Sequence, residues 1–358
     1  MITLQKEPFL QAIKAVKSSC GKANLQPILS TIHIKTNGSN NLVLTGTDIN
    51  NSARAVIEAN ITKFIDICVN AEKLDAIISR LQDIITLNIE DAFLVIKSGN
   101  AKFDLLVLNP NEYPNPNFAL TPNPIVLGAS AFISGINKTI FATQQSEGQI
   151  INGVCLTLNA KDGFEFAATD GNRLCQVKYD IPVSTEGQYT LPKKVLLDVI
   201  KVAKDEIKLH IENNRIVFET NNYLFVTSLL NGVFPKYQAL IPTNNPKKVE
   251  INKNDLLHAL ETVAVMASEQ TNVCKFKFVN NELELMANSI NGKAKDYIEI
   301  KSNITGEFNI SFNYRYLIEG LKVMNNDTVI FEIKDSMSAC VVKGEDNYIQ
   351  IIMPVKTN

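Results

Sequence analysis

A period of 121 residues governs the chain. The segments VNAEKLDAIISRL (69–81), LPKKVLLDVIKVA (191–203) and FNYRYLIEGLKVM (312–324) read as amphipathic helices, and Leu74, Val195 and Tyr316 stand 121 apart at each step, as do Leu81, Val202 and Val323. Apolar residues at i, i+4 and i+7 form one column on the inner face of each helix, with Gly320 its one weak member. A repeat of this length is a whole folding unit, so it sets the domain count directly.

The flanking segments keep the same rhythm. A further helix pattern opens each third: KEPFLQAIKAV, ASAFISGINKTI and NKNDLLHALETVAV. An alternating, β-rich stretch broken by a polar turn follows it in LVLTGTDINNSARAVI, FEFAATDGNRLCQVKY and LELMANSINGKAKDYIEI. Thr47-Asp48 and Thr169-Asp170 lie 122 apart, and Asn288-Ser289 comes 119 later. Pro/Asn-rich linkers at 109–124 and 242–248 separate the units. The expected fold class is therefore α+β, with three tandem similar domains of order helix, strands, helix, strands, over 1–121, 122–245 and 246–358.

Charge is nearly balanced, 35 Lys+Arg against 37 Asp+Glu, so any electrostatic function must be local. The first ten residues lack a basic segment followed by an apolar core, and no run approaches the length of a membrane span; the expectation is an unexported, cytoplasmic protein. The six cysteines lie far apart without a C-x-x-C pair and read as reduced core thiols.

Core columns repeat in any duplicated domain, whereas repeated charges are informative. Lys73, Lys194 and Arg315 recur at one helix position, and Arg80, Lys201 and Lys322 recur seven residues on, each set 121 apart. Every one of these helices thus carries two basic residues two turns apart, partly offset by Asp198 and Glu319 and extended by Lys14, Lys17 and Lys22. The bland reading is a solvated face. Threefold recurrence favours weak, sequence-blind attraction to phosphate instead. With no Trp and nine Tyr, stacking on single strands is disfavoured, and a double helix fits better.

Six helices with axes about 9 Å apart close a ring only about 17 Å across, too narrow for a duplex once helix thickness is removed. Twelve helices double it to about 34 Å and leave roughly 24 Å open. On this geometry a dimer would encircle DNA and a monomer would not.

Five stretches, KANLQPILSTIHI (22–34), LTGTDI (44–49), ATDGNRL (168–174), FPKYQALIP (234–242) and IIMPV (351–355), resemble in order the signatures of the bacterial sliding clamps, the β subunits of the replicative DNA polymerase III. The resemblance covers essentially the whole chain. It implies a head-to-tail dimeric ring of six similar domains, with helices lining the hole, that tethers polymerase to template without a catalytic centre or cofactor. Double-stranded DNA, the polymerase subunit, the clamp loader and other clamp-binding peptides are the implied partners.

By the same resemblance, partner peptides dock between the second and third domains, against Ile151, Thr169, Gly171, Asn172, Arg173, Leu174, Pro235, Leu240, Pro242, Ile352, Met353, Pro354 and Val355. Leu174, Leu240, Ile352 and Met353 would form an apolar slot, Gly171 would admit a partner backbone and Arg173 would donate to it. The chain departs from the family pattern at Asn172, Ala239 and the Lys356-Thr357-Asn358 ending. Besides the helix cations, Lys22 and the glutamines Gln144, Gln145 and Gln149 are expected to reach phosphates. Phe103 and Leu105 are expected to meet Val265 and Met266 of a second copy, with ordinary core packing as the competing reading; pairing of two strand edges there would also remove an exposed edge.

Catalysis is disfavoured. His33, His210 and His258 are scattered, no Cys/His set has ligand spacing, and Asp48 and Asp170 read as turn formers. A repeat-built scaffold that never meets DNA is the other alternative.

Overall fold

The computed structural model describes residues 1–22, 26–38, 40–146, 149–345 and 347–356. Within them the chain forms 25 strands and six α-helices: α1 (Lys6–Lys17), α2 (Ala71–Arg80), α3 (Ala129–Thr139), α4 (Lys193–Val202), α5 (Lys253–Ala264) and α6 (Tyr314–Val323). None is long and apolar enough to cross a membrane. Asparagine starts three of them: Asn70, Asn252 and Asn313 each accept a backbone N–H of the first turn, which pairs a donor that the helix cannot satisfy itself.

The chain packs as two compact units, one of 1–133 with 194–229 and the other of 134–193 with 230–358. The first holds a 13-stranded sheet and the second a 12-stranded sheet, and every strand pairing is antiparallel. The middle third thus lends strands to both sheets.

Each sheet contains a joint between thirds, and the two joints match. In the first unit, Ser52–Glu58 pairs with Tyr223–Ser228, placing Val226 opposite Ser52 and Phe225 opposite Ala53. In the second, Arg173–Tyr179 pairs with Tyr348–Ile352, placing Ile351 opposite Leu174 and Gln350 opposite Cys175. Two corresponding strands leave most of one side unpaired. Ala101–Leu108 follows Phe93–Ser98 throughout but meets the strand on its other side only at Val107 and Leu108. Gly292–Ser302 follows Glu282–Ser289 but meets its other neighbour only at Ile300–Ser302.

The inner columns of α2 and α4 are buried as expected, at Leu74, Ile78 and Leu81 and at Val195, Val199 and Val202. In α6 the buried set is one residue displaced, at Leu317, Leu321 and Met324, while Tyr316 and Val323 are half-buried. Two contacts account for it. Gln350 donates to the Tyr316 carbonyl at 2.7 Å and lies so close that a Cβ at Gly320 would come within 1.9 Å of it. The Tyr316 ring turns outward instead, under the guanidinium of Arg173. Gly320 is thus what lets α6 approach the strand beneath it.

The linker at 109–124 is fastened rather than loose: Arg215 donates to the carbonyls of Asn117 and Ala119, and Arg54 lies 4.0 Å over the Phe118 ring. All six cysteines are unpaired, and five are buried. Burial pushes the Cys155 and Cys175 thiols up to about 12.

Candidate functional site

In the second unit, the turn between Gly163–Thr169 and Arg173–Tyr179 is built by its own side chains. Asp170 Oδ1 accepts from the backbone N–H of Asn172 at 3.0 Å and of Arg173 at 3.1 Å, while Thr169 Oγ1 accepts from Gly171 and donates to the Arg173 carbonyl. Gly171 has φ 91°, a conformation that costs glycine nothing, with open space where a Cβ would project. The equivalent position in the first third is Ile49, φ 81°, where the same backbone carries a β-branched side chain. The C-terminal segment is tied to the Gly171 turn: Met353 N–H donates to the Asn172 carbonyl at 2.9 Å.

Beside this turn lies a cavity of about 370 Å³, lined by nine residues of the expected set, Ile151, Thr169, Gly171, Asn172, Arg173, Leu174, Pro235, Leu240 and Met353, together with Tyr237, Ala339 and Ile351. Its floor is the buried cluster of Cys155, Ala167, Leu174, Phe234, Tyr237 and Ile351. Its rim is apolar yet wet: Leu240 is 68% and Met353 42% exposed. Tyr237 reaches polar company below, donating to Glu165 Oε1 at 2.5 Å, and burial followed by that carboxylate pushes its phenol up.

Four expected residues do not line the cavity. Ile352 points to the other face of its strand and is fully buried, because alternation puts Ile351 and Met353 together on the cavity side. Pro242 and Pro354 are half-buried nearby. Val355 donates its N–H to Ser311 and borders a separate depression with Met337 and Lys356. Tyr237 and Ile351 were readable in FPKYQALIP and YIQIIMPV as apolar positions; only their facing was not.

Arg173 differs most from expectation. Its Nε donates to Asp170 Oδ2 at 3.0 Å, one terminal nitrogen donates to Glu319 on α6, and the other donates to the Phe141 carbonyl at 2.6 Å. The guanidinium also lies 4.3 Å over the Tyr316 ring, and the side chain is 7% exposed. Three of its five N–H groups are committed in this way, and Arg173 braces the turn while still lining the cavity.

The six recurring cations are exposed. Lys194 meets Asp48 at 3.0 Å, Lys201 meets Asp198 at 3.1 Å and Lys322 meets Glu261 at 2.8 Å. Arg80 donates to Ala76 within its helix, and Arg315 lies beside the Tyr314 hydroxyl. Glu319, expected to offset the α6 charges, is instead drawn to Arg173. Lys17 is held by Glu72 and Asp75. Lys22, Gln145 and Gln149 are exposed, and Gln144 is half-buried; the neighbouring positions 23–25 and 147–148 lie outside the described residues, as do Thr357 and Asn358.

Of the expected joint residues, Phe103 is 38% and Val265 81% exposed, Met266 packs against Gly292, and Leu105 is buried in its own unit. Two of the three histidines are tied into the fold, His33 bonding Asp66 and His210 bonding Glu219 and Thr121, while His258 is exposed on α5. Among the described residues no group of three His, Cys, Asp or Glu side chains is placed to hold a metal.

Compared with known proteins, the chain matches three family models in succession: DNA polymerase III beta subunit, N-terminal domain over 1–117, central domain over 127–236 and C-terminal domain over 238–356. A beta sliding clamp of Synechococcus elongatus is 30% identical over 348 residues, covering 92% of each chain. Among solved structures, a Pseudomonas aeruginosa sliding clamp bound to griselimycin superposes with a TM-score of 0.89 at 26% identity over 99% of both chains. The beta subunit of Thermotoga maritima shares the fold with a TM-score of 0.91 at 24% identity, covering 100% of this chain and 99% of its own.

Proposed function

The chain belongs to the DNA polymerase III beta subunit family, the beta sliding clamps, non-catalytic processivity subunits of DNA replication, and from that premise we propose that two copies close head to tail into a cytoplasmic ring around duplex DNA. Each copy supplies three domains, 1–121, 122–245 and 246–358. The observation that carries the ring is the strand joint. It occurs twice inside the chain, between first and second thirds and between second and third, and the strands that would make a third joint keep open edges. A second copy offers each open strand the complementary edge, in the order that the two internal joints use.

Lys73, Arg80, Lys194, Lys201, Arg315 and Lys322, with Lys22, Gln145 and Gln149, then face phosphates. Several of the lysines already share a carboxylate, so the attraction is weak and blind to sequence, as a ring that must slide requires. The cavity beside the Gly171 turn takes apolar ends of partner peptides from the polymerase subunit and the clamp loader: its lining is mostly apolar, its floor is buried and its rim is exposed.

The test is retention on a nicked circle after loading with the cognate loader and ATP. Protein that stays on the circle and leaves once it is cut is topologically linked. Protein that ignores the cut holds DNA by contact, and the ring falls. Separately, Leu240→Ala with Met353→Ala should weaken an apolar peptide about tenfold or more with little loss of stability; unchanged binding would remove the cavity from the peptide path.

A further inference from the structure

Resting on the ring reading, we propose the register of the joint between copies: Ala101–Leu108 of one copy runs antiparallel to Gly292–Ser302 of the other with Asp104 opposite Lys293, and this charged rung does the work that a turn-to-helix ion pair does inside the chain.

The register follows from the two joints in hand. Ala101, Tyr223 and Tyr348 each open a strand and pair with the residue three positions earlier, Ser98, Thr220 and Glu345. Three residues further on stand Asp104, Val226 and Ile351. On the other side of the joint, Ser52 and Leu174 are the first residues after their turns, opposite Thr47 and Thr169. The last third is aligned from its far end. Ser302 pairs with Val249 four residues ahead of α5, as Ile61 pairs with Ile2 four residues ahead of α1. Counting back equally from Ser302 and Ile61 brings Lys293 to the place of Ser52. Since Val226 faces Ser52 and Ile351 faces Leu174, Asp104 faces Lys293.

Burial agrees with the alignment. Phe103 occupies the place of Phe225 and Gln350, which are 1% and 0% exposed within their joints, yet Phe103 itself is 38% exposed. It is a core position short of its cover. In this register it falls opposite Ala294, next to Gly292 and the Met266 that packs on it.

Charge supplies the rest. Each internal joint is held by an ion pair from turn to helix, Asp48 to Lys194 in one and Arg173 to Glu319 in the other. The third turn, Ser289-Ile290-Asn291-Gly292, has no ionisable side chain. Asp104 and Lys293 are both exposed and of opposite sign, and directly opposed residues share a face of the sheet. The next rung on that face sets Lys102 against Lys295, but each carries its own carboxylate, Glu90 and Asp104 for the first and Glu284 for the second. A joint made this way weakens with salt.

Sedimentation equilibrium on the full chain at two salt concentrations tests it, with circular dichroism confirming the fold of each variant. Asp104→Lys and Lys293→Asp should each weaken the dimer about tenfold, and the double exchange should return it to within about threefold of the parent. A cysteine pair at 104 and 293 should oxidise to a covalent dimer, whereas a pair at 104 and 295 should not. A parent that dimerises while the exchange gives no recovery and the 104–293 pair no cross-link overturns the register alone. A parent that stays monomeric at every concentration removes the ring reading beneath it.

Discussion

Asp48, in a turn of the first third, accepts a 3.0 Å hydrogen bond from Lys194 at the start of α4. Burial alone would raise the Asp48 carboxyl, but the Asn51 amide, the Asn51 side chain and the Lys194 ammonium outweigh it and hold the carboxyl below its usual range. A depressed acid stabilises the fold above its unfolded value of about 3.9, and that contribution is lost as pH falls through the lower folded value. Asp48→Asn should therefore unfold earlier in urea than the parent at neutral pH, with the gap closing on acidification. A gap that is constant down to the acid limit would mean the carboxylate is not the source.

Removing Arg173 leaves two carboxylates, Asp170 and Glu319, without their cation. Arg173→Ala should cost about 3 kcal/mol in chemical denaturation, and peptide affinity should fall with it because the turn loses its brace. Arg173→Lys should recover little, since an ammonium cannot span three acceptors or lie flat on Tyr316. Glu319→Gln, remote from the cavity, should weaken the peptide as well.

Ile49 carries a branched side chain at φ 81°, where the matching turn has Gly171. It is 64% exposed, so replacing it removes strain and little packing. Ile49→Gly should raise the urea midpoint, by about 1 kcal/mol in stability, and Gly171→Ile should lower it.

Gly320→Ala places a methyl group 1.9 Å from the Gln350 amide oxygen. Overpacking of this kind costs about 1–3 kcal/mol, read as a lower thermal midpoint. Pairing it with Gln350→Ala should restore part of the loss.

The threefold order, the placement of helices and the turn beside the cavity were legible because they depend on local pattern: an apolar period, a Thr-Asp pair, proline at the linkers. Facing within a strand was harder. YIQIIMPV offers Ile351 and Ile352 equally, and only pairing with Arg173–Tyr179 decides which is inside the cavity. The brace at Arg173 is illegible for a different reason: its partner Glu319 lies 146 residues away, on a helix whose own cations are nearer to it in sequence. Tyr316 escaped its column because Gln350, from yet another strand, took the space. Contacts distant in sequence leave no period to read.

The six thiols have a practical consequence. Cys20, Cys68, Cys155, Cys175 and Cys274 are all pushed up to about 12, chiefly by burial, and Cys340 is pushed up further. At neutral pH almost none is thiolate, the form that attacks alkylating reagents. A chain with six cysteines is therefore nearly mute to maleimide, and one new surface cysteine would carry a fluorophore alone, with no native cysteine needing removal.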